Sequence, residues 1–178
     1  MAHKTERQPL SSPAAWIASF GGIGLLPIMP GTWCSLLVAL PALLLPYEWE
    51  ELTRLGYLIF FFTIVSTGWW SITRIQLRWG HDPSIVVVDE AMGMALILVL
   101  PYAYMGWWWW CGAVLLFRIY DVMKPWPISW MNARTESWAV WADDVLAGVF
   151  AIITLGVGFY MLQLLTIGMI GLSGQNAP

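Results

Sequence analysis

Four short stretches hold the side chains best suited to chemistry. Arg118, Asp121 and Lys124 stand three residues apart at the end of an uncharged run, just before Pro125. On a helix this spacing puts Arg118 and Asp121 on one face, with Lys124 a turn further on, and the proline discourages further helix. Asp89-Glu90 and Asp143-Asp144 are adjacent carboxylate pairs, each at the edge of an apolar run, and Asp82 lies one short step before the first pair. Carboxylates are hard oxygen ligands that suit Mg2+, which binds through a few of them and keeps waters for a substrate phosphate. Crowded together in a low dielectric without a divalent ion or nearby cations, such groups would be forced to take up protons. Arg118 and Lys124 suit phosphate, the first through its planar fork and the second as a point charge. A metal among them could activate water or stabilise a departing phosphoryl group. His81 stands alone, and no zinc cluster or Walker loop is present. Cys34 and Cys111 sit in apolar runs and read as small buried or lipid-facing side chains.

The elements that must position these groups belong to a membrane protein. Of the 178 residues, 59% are hydrophobic and 11% charged, whereas a soluble domain carries about a quarter charged residues. Uncharged runs cover 8–47, 55–73, 91–117 and 145–178, and roughly 20 apolar residues cross a bilayer as a helix. Without a basic tract, there is no electrostatic footprint for nucleic acid. The expected fold is therefore all-α, a polytopic helical bundle in one domain over 1–178. It has about five transmembrane helices and a re-entrant or interfacial N-terminal segment. Residues 1–12 form a polar tail, retained rather than cleaved, and 168–178 a frayed one.

In chain order, a short helix is expected over 13–20, an irregular loop over 21–32 and a spanning helix over 33–46. The glycines of that loop serve either as a hinge or as a nest of backbone N–H groups for an anion. A helix follows over 55–73. Asp82-Pro83 has the form of a helix start, which would place Asp82 and Asp89 two turns apart on one face. Gly93, four residues after Asp89, leaves room for a close backbone or ligand. The run 91–117 crosses the membrane once or, as we prefer, folds as a hairpin of 84–103 and 107–121 turning near Pro101–Gly106. Asp143-Asp144 would open the last helix, 145–167, and the tryptophan-rich 122–142 would lie along the headgroups. By the positive-inside rule, Arg74, Arg78, Arg118, Lys124 and Arg134 mark the cytoplasmic side.

Four linked patterns carry a resemblance. They are Gly24-Leu25-Leu26-Pro27 with Pro30-Gly31-Thr32-Trp33; Asp82-Pro83-Ser84 with Asp89-Glu90 and Gly93; Phe117-Arg118, Asp121 and Lys124-Pro125-Trp126-Pro127; and Asp143-Asp144-Val145-Leu146-Ala147-Gly148. In this order and spacing, over about residues 20–155, the chain resembles the phosphatidylglycerophosphatase A family. It departs at Cys34, at Ile85 and in the lead-in 136–142, without losing a main carboxylate or cation.

The resemblance implies a Mg2+-dependent, multi-pass phosphatase of the bacterial inner membrane, its active site facing the cytoplasm. Such an enzyme hydrolyses phosphatidylglycerophosphate to phosphatidylglycerol and inorganic phosphate. On this reading Asp89, Glu90, Asp121, Asp143 and Asp144 supply the metal ligands and the water-activating carboxylate, with Asp82 a further metal candidate. Arg118 and Lys124 bind phosphate, helped by Thr32, Gly31 and the glycine loop. The alternative is a transporter or channel for an ion or phosphate without hydrolysis, which would need polar residues across the whole bilayer. The charges instead stay toward one face. The Asp-x-x-Asp-Gly pattern of CDP-alcohol phosphotransferases is absent.

Overall fold

The computed structural model describes residue 10, residues 12–80 and residues 83–175, with side chains up to residue 169. All regular elements among them are helical. Helix α1 (Pro13–Ala18) begins where Ser12 accepts a hydrogen bond from the Ala15 N–H at 3.3 Å, with Pro13 in the first turn. A loop with a 3-10 turn at Ile23–Leu25 leads to α2 (Pro30–Leu44). This helix starts three residues earlier than expected, because the fixed φ of Pro30 suits a first helical position. Gly31 and Thr32 therefore belong to a helix rather than to the loop.

Helix α3 (Glu50–Trp79) outruns its apolar segment at both ends. Arg54 lies within it and donates from Nε to the Val99 carbonyl at 2.8 Å. The expected helix start at Asp82-Pro83 is overturned. Residues 83–87 form a turn, with the Val86 N–H on the Pro83 carbonyl at 2.9 Å, and α4 (Val88–Leu98) begins only afterwards. Two bonds from other elements hold that turn open. The Val87 N–H donates to the Ala18 carbonyl at 2.9 Å, and the Cys34 thiol donates to the Val87 carbonyl at 3.1 Å. Asp82 itself falls outside the described residues, and residues 83–87, which would carry a shared face to Asp89, are not helical.

The run 91–117 is a pair of helices, turning where expected through a 3-10 segment at Pro101–Tyr104 into α5 (Trp107–Met123). After α6 (Ile128–Asn132), α7 runs over Ser137–Gln175. It begins eight residues before the expected start and remains helical through most of the tail expected to fray. Asp143 and Asp144 are thus inside a helix, not capping one.

Helix α4 is the core. Nine of its 11 residues are buried, as expected of a helix apolar on all sides, and it packs against α2, α3 and α7. At about 1.5 Å per residue α4 is near 17 Å long, short of the ~30 Å hydrocarbon thickness of a bilayer. Among the described residues two helices, α3 and α7, are long and apolar enough to cross a membrane. The outer surface exposes large apolar side chains such as Leu44, Phe62 and Leu165, each more than 60% exposed. An apolar exterior of this kind suits lipid surroundings.

Candidate active site

The carboxylates meet because two glycines let two helices touch. A Cβ on Gly148 of α7 would lie 2.7 Å from the Gly93 carbonyl oxygen, and one on Gly93 of α4 would lie 2.5 Å from the Asp144 carbonyl oxygen. Only glycine permits this crossing, as in small-residue contacts between membrane helices. Each glycine is four residues, about one turn, past a carboxylate: Gly93 past Asp89, Gly148 past Asp144. The contact therefore draws the first turn of α4 against the second turn of α7. Asp89, Glu90 and Asp144 consequently offer one oxygen each, all within 4.8 Å of one another.

Asp89, Asp121, Asp143 and Asp144 are each at most 8% exposed. With Glu90, they line a cavity of about 110 Å3. Asp89 and Glu90 lie in the first turn of α4, where the helix dipole favours negative charge. The Glu90 Oε2 is buried and has no hydrogen-bond partner. An orphaned carboxylate oxygen beside two further carboxylates is a donor set that suits a hard divalent cation.

The cations come from the end of α5. Arg118 Nη1 lies 2.6 Å from Asp121 Oδ2, but out of line, so the pair is ionic and Nη1 lacks a hydrogen-bond acceptor. Lys124 closes α5 in the left-handed region, φ 43°, a conformation uncommon outside glycine. Its ammonium donates to Asp143 Oδ2 at 2.5 Å and to Asn132 Oδ1 at 2.7 Å. Burial disfavours its charge, but the Asp143 hydrogen bond and the attraction of Asp143, Asp144 and Asp121 outweigh this and raise its pKa. Lys124 thus stays an ammonium across the physiological range.

Comparison with known proteins settles the family. The family model for phosphatidylglycerophosphatase A matches residues 16–159. The chain belongs to the phosphatidylglycerophosphatase A family. A phosphatidylglycerophosphatase A of Haemophilus influenzae is 31% identical over 169 residues, covering 89% of this chain and 99% of the relative. The Escherichia coli phosphatidylglycerophosphatase A is 31% identical over 151 residues, covering 82% and 83%. A Bacteroides thetaiotaomicron protein, provisionally named phosphatidylinositol-3-phosphatase, is 34% identical over 146 residues, covering 79% and 90%. No solved structure matches the chain. The activity of this family member is accordingly that of a phosphoric monoester hydrolase acting on phosphatidylglycerophosphate.

Within this family member, five expected carboxylates and Lys124 surround one cavity. Arg118 stands beside it on Asp121 rather than in its lining. Gly31 is a spacer. A Cβ there would collide with the Glu90 carboxylate and come within 3.2 Å of Arg118 Nη1. The Thr32 hydroxyl is buried without a hydrogen-bond partner and is not part of the cavity lining. Nor does Gly24 face the cavity, since a Cβ there would strike the Ile85 carbonyl. Gly24 is a point of close packing between the loop and residue 85. Sequence reasoning missed Asn132 and Arg134, both in the lining. Their only signal was nearness to Lys124 in the chain, and α6 is what folds them back.

Proposed function

We propose that Asp89, Glu90 and Asp144 hold Mg2+ in this phosphatidylglycerophosphate phosphatase, with Asp121 and Asp143 completing the acidic wall. The observation that carries this is the convergence of three carboxylate oxygens within 4.8 Å, one of them from the orphan-bearing Glu90. A divalent ion bound there would neutralise charge on the phosphoryl oxygens and acidify a coordinated water.

The remaining steps belong to the chain itself. Lys124 donates to a phosphoryl oxygen from its fixed place between Asp143 and Asn132. Arg118 holds Asp121 and balances the charge of the acidic wall, and Gly31 keeps the space into which Glu90 and Arg118 fit. A cavity carboxylate takes the proton from the attacking water. As the bond from phosphorus to the glycerol oxygen breaks, that oxygen leaves with a proton, and phosphatidylglycerol and inorganic phosphate remain. A relative named for phosphatidylinositol-3-phosphatase fits the same chemistry, because its substrate also carries a phosphomonoester on a polyol.

The site lies at one end of the bundle, where α2 and α4 begin and α5 ends. With Lys124 and Arg134 in the cavity lining, this end faces the cytoplasm of a bacterial inner membrane by the positive-inside rule. The chain crosses as a single domain, α3 and α7 as full spans and the shorter α2, α4 and α5 completing about five. The N-terminal α1 is the interfacial piece. The test is phosphate release from phosphatidylglycerophosphate in neutral-detergent micelles, with Mg2+ and with chelator. Mg2+-dependent release that disappears in Asp89→Asn is expected; release unaffected by chelator would reject the metal assignment.

A further inference from the structure

Away from the acidic cavity, one face of α3 borders two apolar cavities. The first, of about 400 Å3, has walls formed by Leu37, Pro41 and Leu45 of α2 and by Gly56, Tyr57 and Phe60 of α3. The second, of about 320 Å3, lies between Trp16 and Ile17 of α1 and Thr63, Ile64 and Thr67 of α3. Phe20 and Phe60 line both, and their rings meet edge to face with centroids 6.4 Å apart, so the cavities adjoin at this pair as one groove. Neither cavity has a charged residue among its described lining. Thr63 and Thr67 spend their hydroxyl protons on the Ile59 and Thr63 carbonyls of their own helix, both at 2.8 Å, and so bring no free donor to the groove. Gly56 cuts the α3 wall back, since a Cβ there would meet no atom of the described residues within 4 Å.

Size and position decide what fits. From Thr53 to Thr67 the groove follows α3 for roughly 21 Å, at about 1.5 Å per residue. One leaflet of a bilayer is about 15 Å of hydrocarbon, half of the ~30 Å core, so the groove is long enough for one acyl chain. Spread over that length, the two volumes give a cross-section of roughly 35 Å2, under half that of a helix about 10–12 Å across. The groove therefore suits a hydrocarbon chain and not a helix of a second copy. One end of it is level with the acidic cavity. A Cβ on Gly68, next to Thr67, would strike Met92 and lie 3.1 Å from Val88, the residues on either side of Asp89 and Glu90 in α4. Helix α2, whose Gly31 abuts the Glu90 carboxylate, supplies a wall further along. We propose that this groove takes one acyl chain of the phospholipid substrate, held with its phosphates level with the cavity, and so selects for long chains. The proposal rests on the acidic cavity being the active site, and no groove residue touches the reacting atoms.

Gly56→Leu fills the groove from a position with room for the side chain, and Leu suits a helix better than Gly. Gly158→Leu on α7 is the control, because a Cβ there also meets nothing within 4 Å and it lines neither cavity. Phosphate release is measured from dioleoyl and from dihexanoyl phosphatidylglycerophosphate, at a fixed mole fraction in neutral-detergent micelles. The hexanoyl chains are too short to follow the groove. In Gly56→Leu the KM for the dioleoyl substrate should rise by roughly tenfold, as for excess bulk in an apolar slot, and kcat should change less. The KM for the dihexanoyl substrate should stay within about twofold, as should both values in Gly158→Leu. Phosphatidylglycerol with a diazirine midway along one chain gives a second readout on wild-type protein. Photolabelling should favour the α3 peptide over residues 53–67 against the exposed stretch of α7 over residues 157–165.

Equal loss on both substrates would overturn the proposal, because it would make the groove a structural element or the seat of a lipid other than the substrate. The same change in Gly158→Leu would overturn it too. So would an unchanged dioleoyl KM in folded Gly56→Leu, or labelling no stronger on α3 than on α7. A fall in the protein mass by light scattering in Gly56→Leu would overturn it in favour of an interface between copies. With Asp89→Asn inactive, any of these results leaves the active site standing. Full activity in Asp89→Asn would remove the active-site reading and, with it, the substrate chain as the occupant of the groove.

Discussion

Gly148→Ala tests how the site is assembled without touching any group that does chemistry. The added Cβ would lie 2.7 Å from the Gly93 carbonyl oxygen and 3.4 Å from the Gly93 Cα. Its neighbour is helix backbone, which cannot rotate aside. To bring 2.7 Å out to the 3.4 Å where ordinary contact begins, α7 must retreat from α4 by up to about 0.7 Å. Asp144 stands one turn away on the same helix and moves with it, away from Asp89 and Glu90. Mg2+ binds oxygen at roughly 2.0–2.1 Å and demands near-octahedral geometry, so a shift of that size disrupts the triad. A misplacement near 1 Å can cost about 10²-fold in rate, and we expect kcat/KM to fall by roughly 10- to 100-fold. The Mg2+ concentration for half-maximal activity should rise. Overpacking of this kind costs about 1–3 kcal/mol, so thermal unfolding must be followed alongside phosphate release to separate a lost site from a lost fold. Gly158→Ala is the control, since its Cβ would meet nothing within 4 Å, and a helical Gly→Ala there should be neutral or stabilising. A folded Gly148→Ala protein with wild-type rate and wild-type Mg2+ requirement would refute the glycine crossing as the device that forms the site.

Three further expectations follow from the same geometry. Gly31→Ala drives a methyl into the Glu90 carboxylate and toward Arg118; activity should drop at least roughly tenfold with the fold retained, read by turnover and circular dichroism. Lys124→Met leaves the nearly buried Asp143 without its ammonium partner. A lower unfolding temperature and a turnover reduced about 10²-fold are expected, and a variant with wild-type KM and kcat would exclude Lys124 from phosphate binding. Asp144→Asn preserves size while removing one ligand charge, and should raise the Mg2+ concentration for half-maximal activity and lower the rate by about 10²-fold.

Much of the site was legible because its chemistry is written in residue type. Charged groups in so apolar a chain are few, and Asp89, Glu90, Asp121, Lys124, Asp143 and Asp144 all converge. The boundaries were less legible. Asp143-Asp144 have the composition of a helix cap, yet α7 already starts at Ser137, because Trp138 to Ala142 can pack helically against the bundle. Asp82-Pro83 carries the same capping signature, and there the tertiary hydrogen bonds of Val87 to Ala18 and Cys34 keep the turn from becoming helix. Pairwise contacts between distant segments leave no local trace. Nothing near Gly148 announces that its partner is Gly93, and nothing at Gly31 announces Glu90. The packing of Gly24 is hidden for the same reason: glycines that admit an anion and glycines that admit an Ile85 carbonyl look alike in sequence.

The central claim is that Asp89, Glu90 and Asp144 together hold the divalent ion. Binding of Mn2+, a paramagnetic stand-in for Mg2+, can be titrated by electron paramagnetic resonance on the purified protein in detergent, without substrate. The account predicts saturable binding displaced by Mg2+, weakened roughly tenfold or more in both Asp89→Asn and Asp144→Asn and unchanged in Arg74→Ala. Equal Mn2+ binding by the wild type and both carboxamide variants would contradict it.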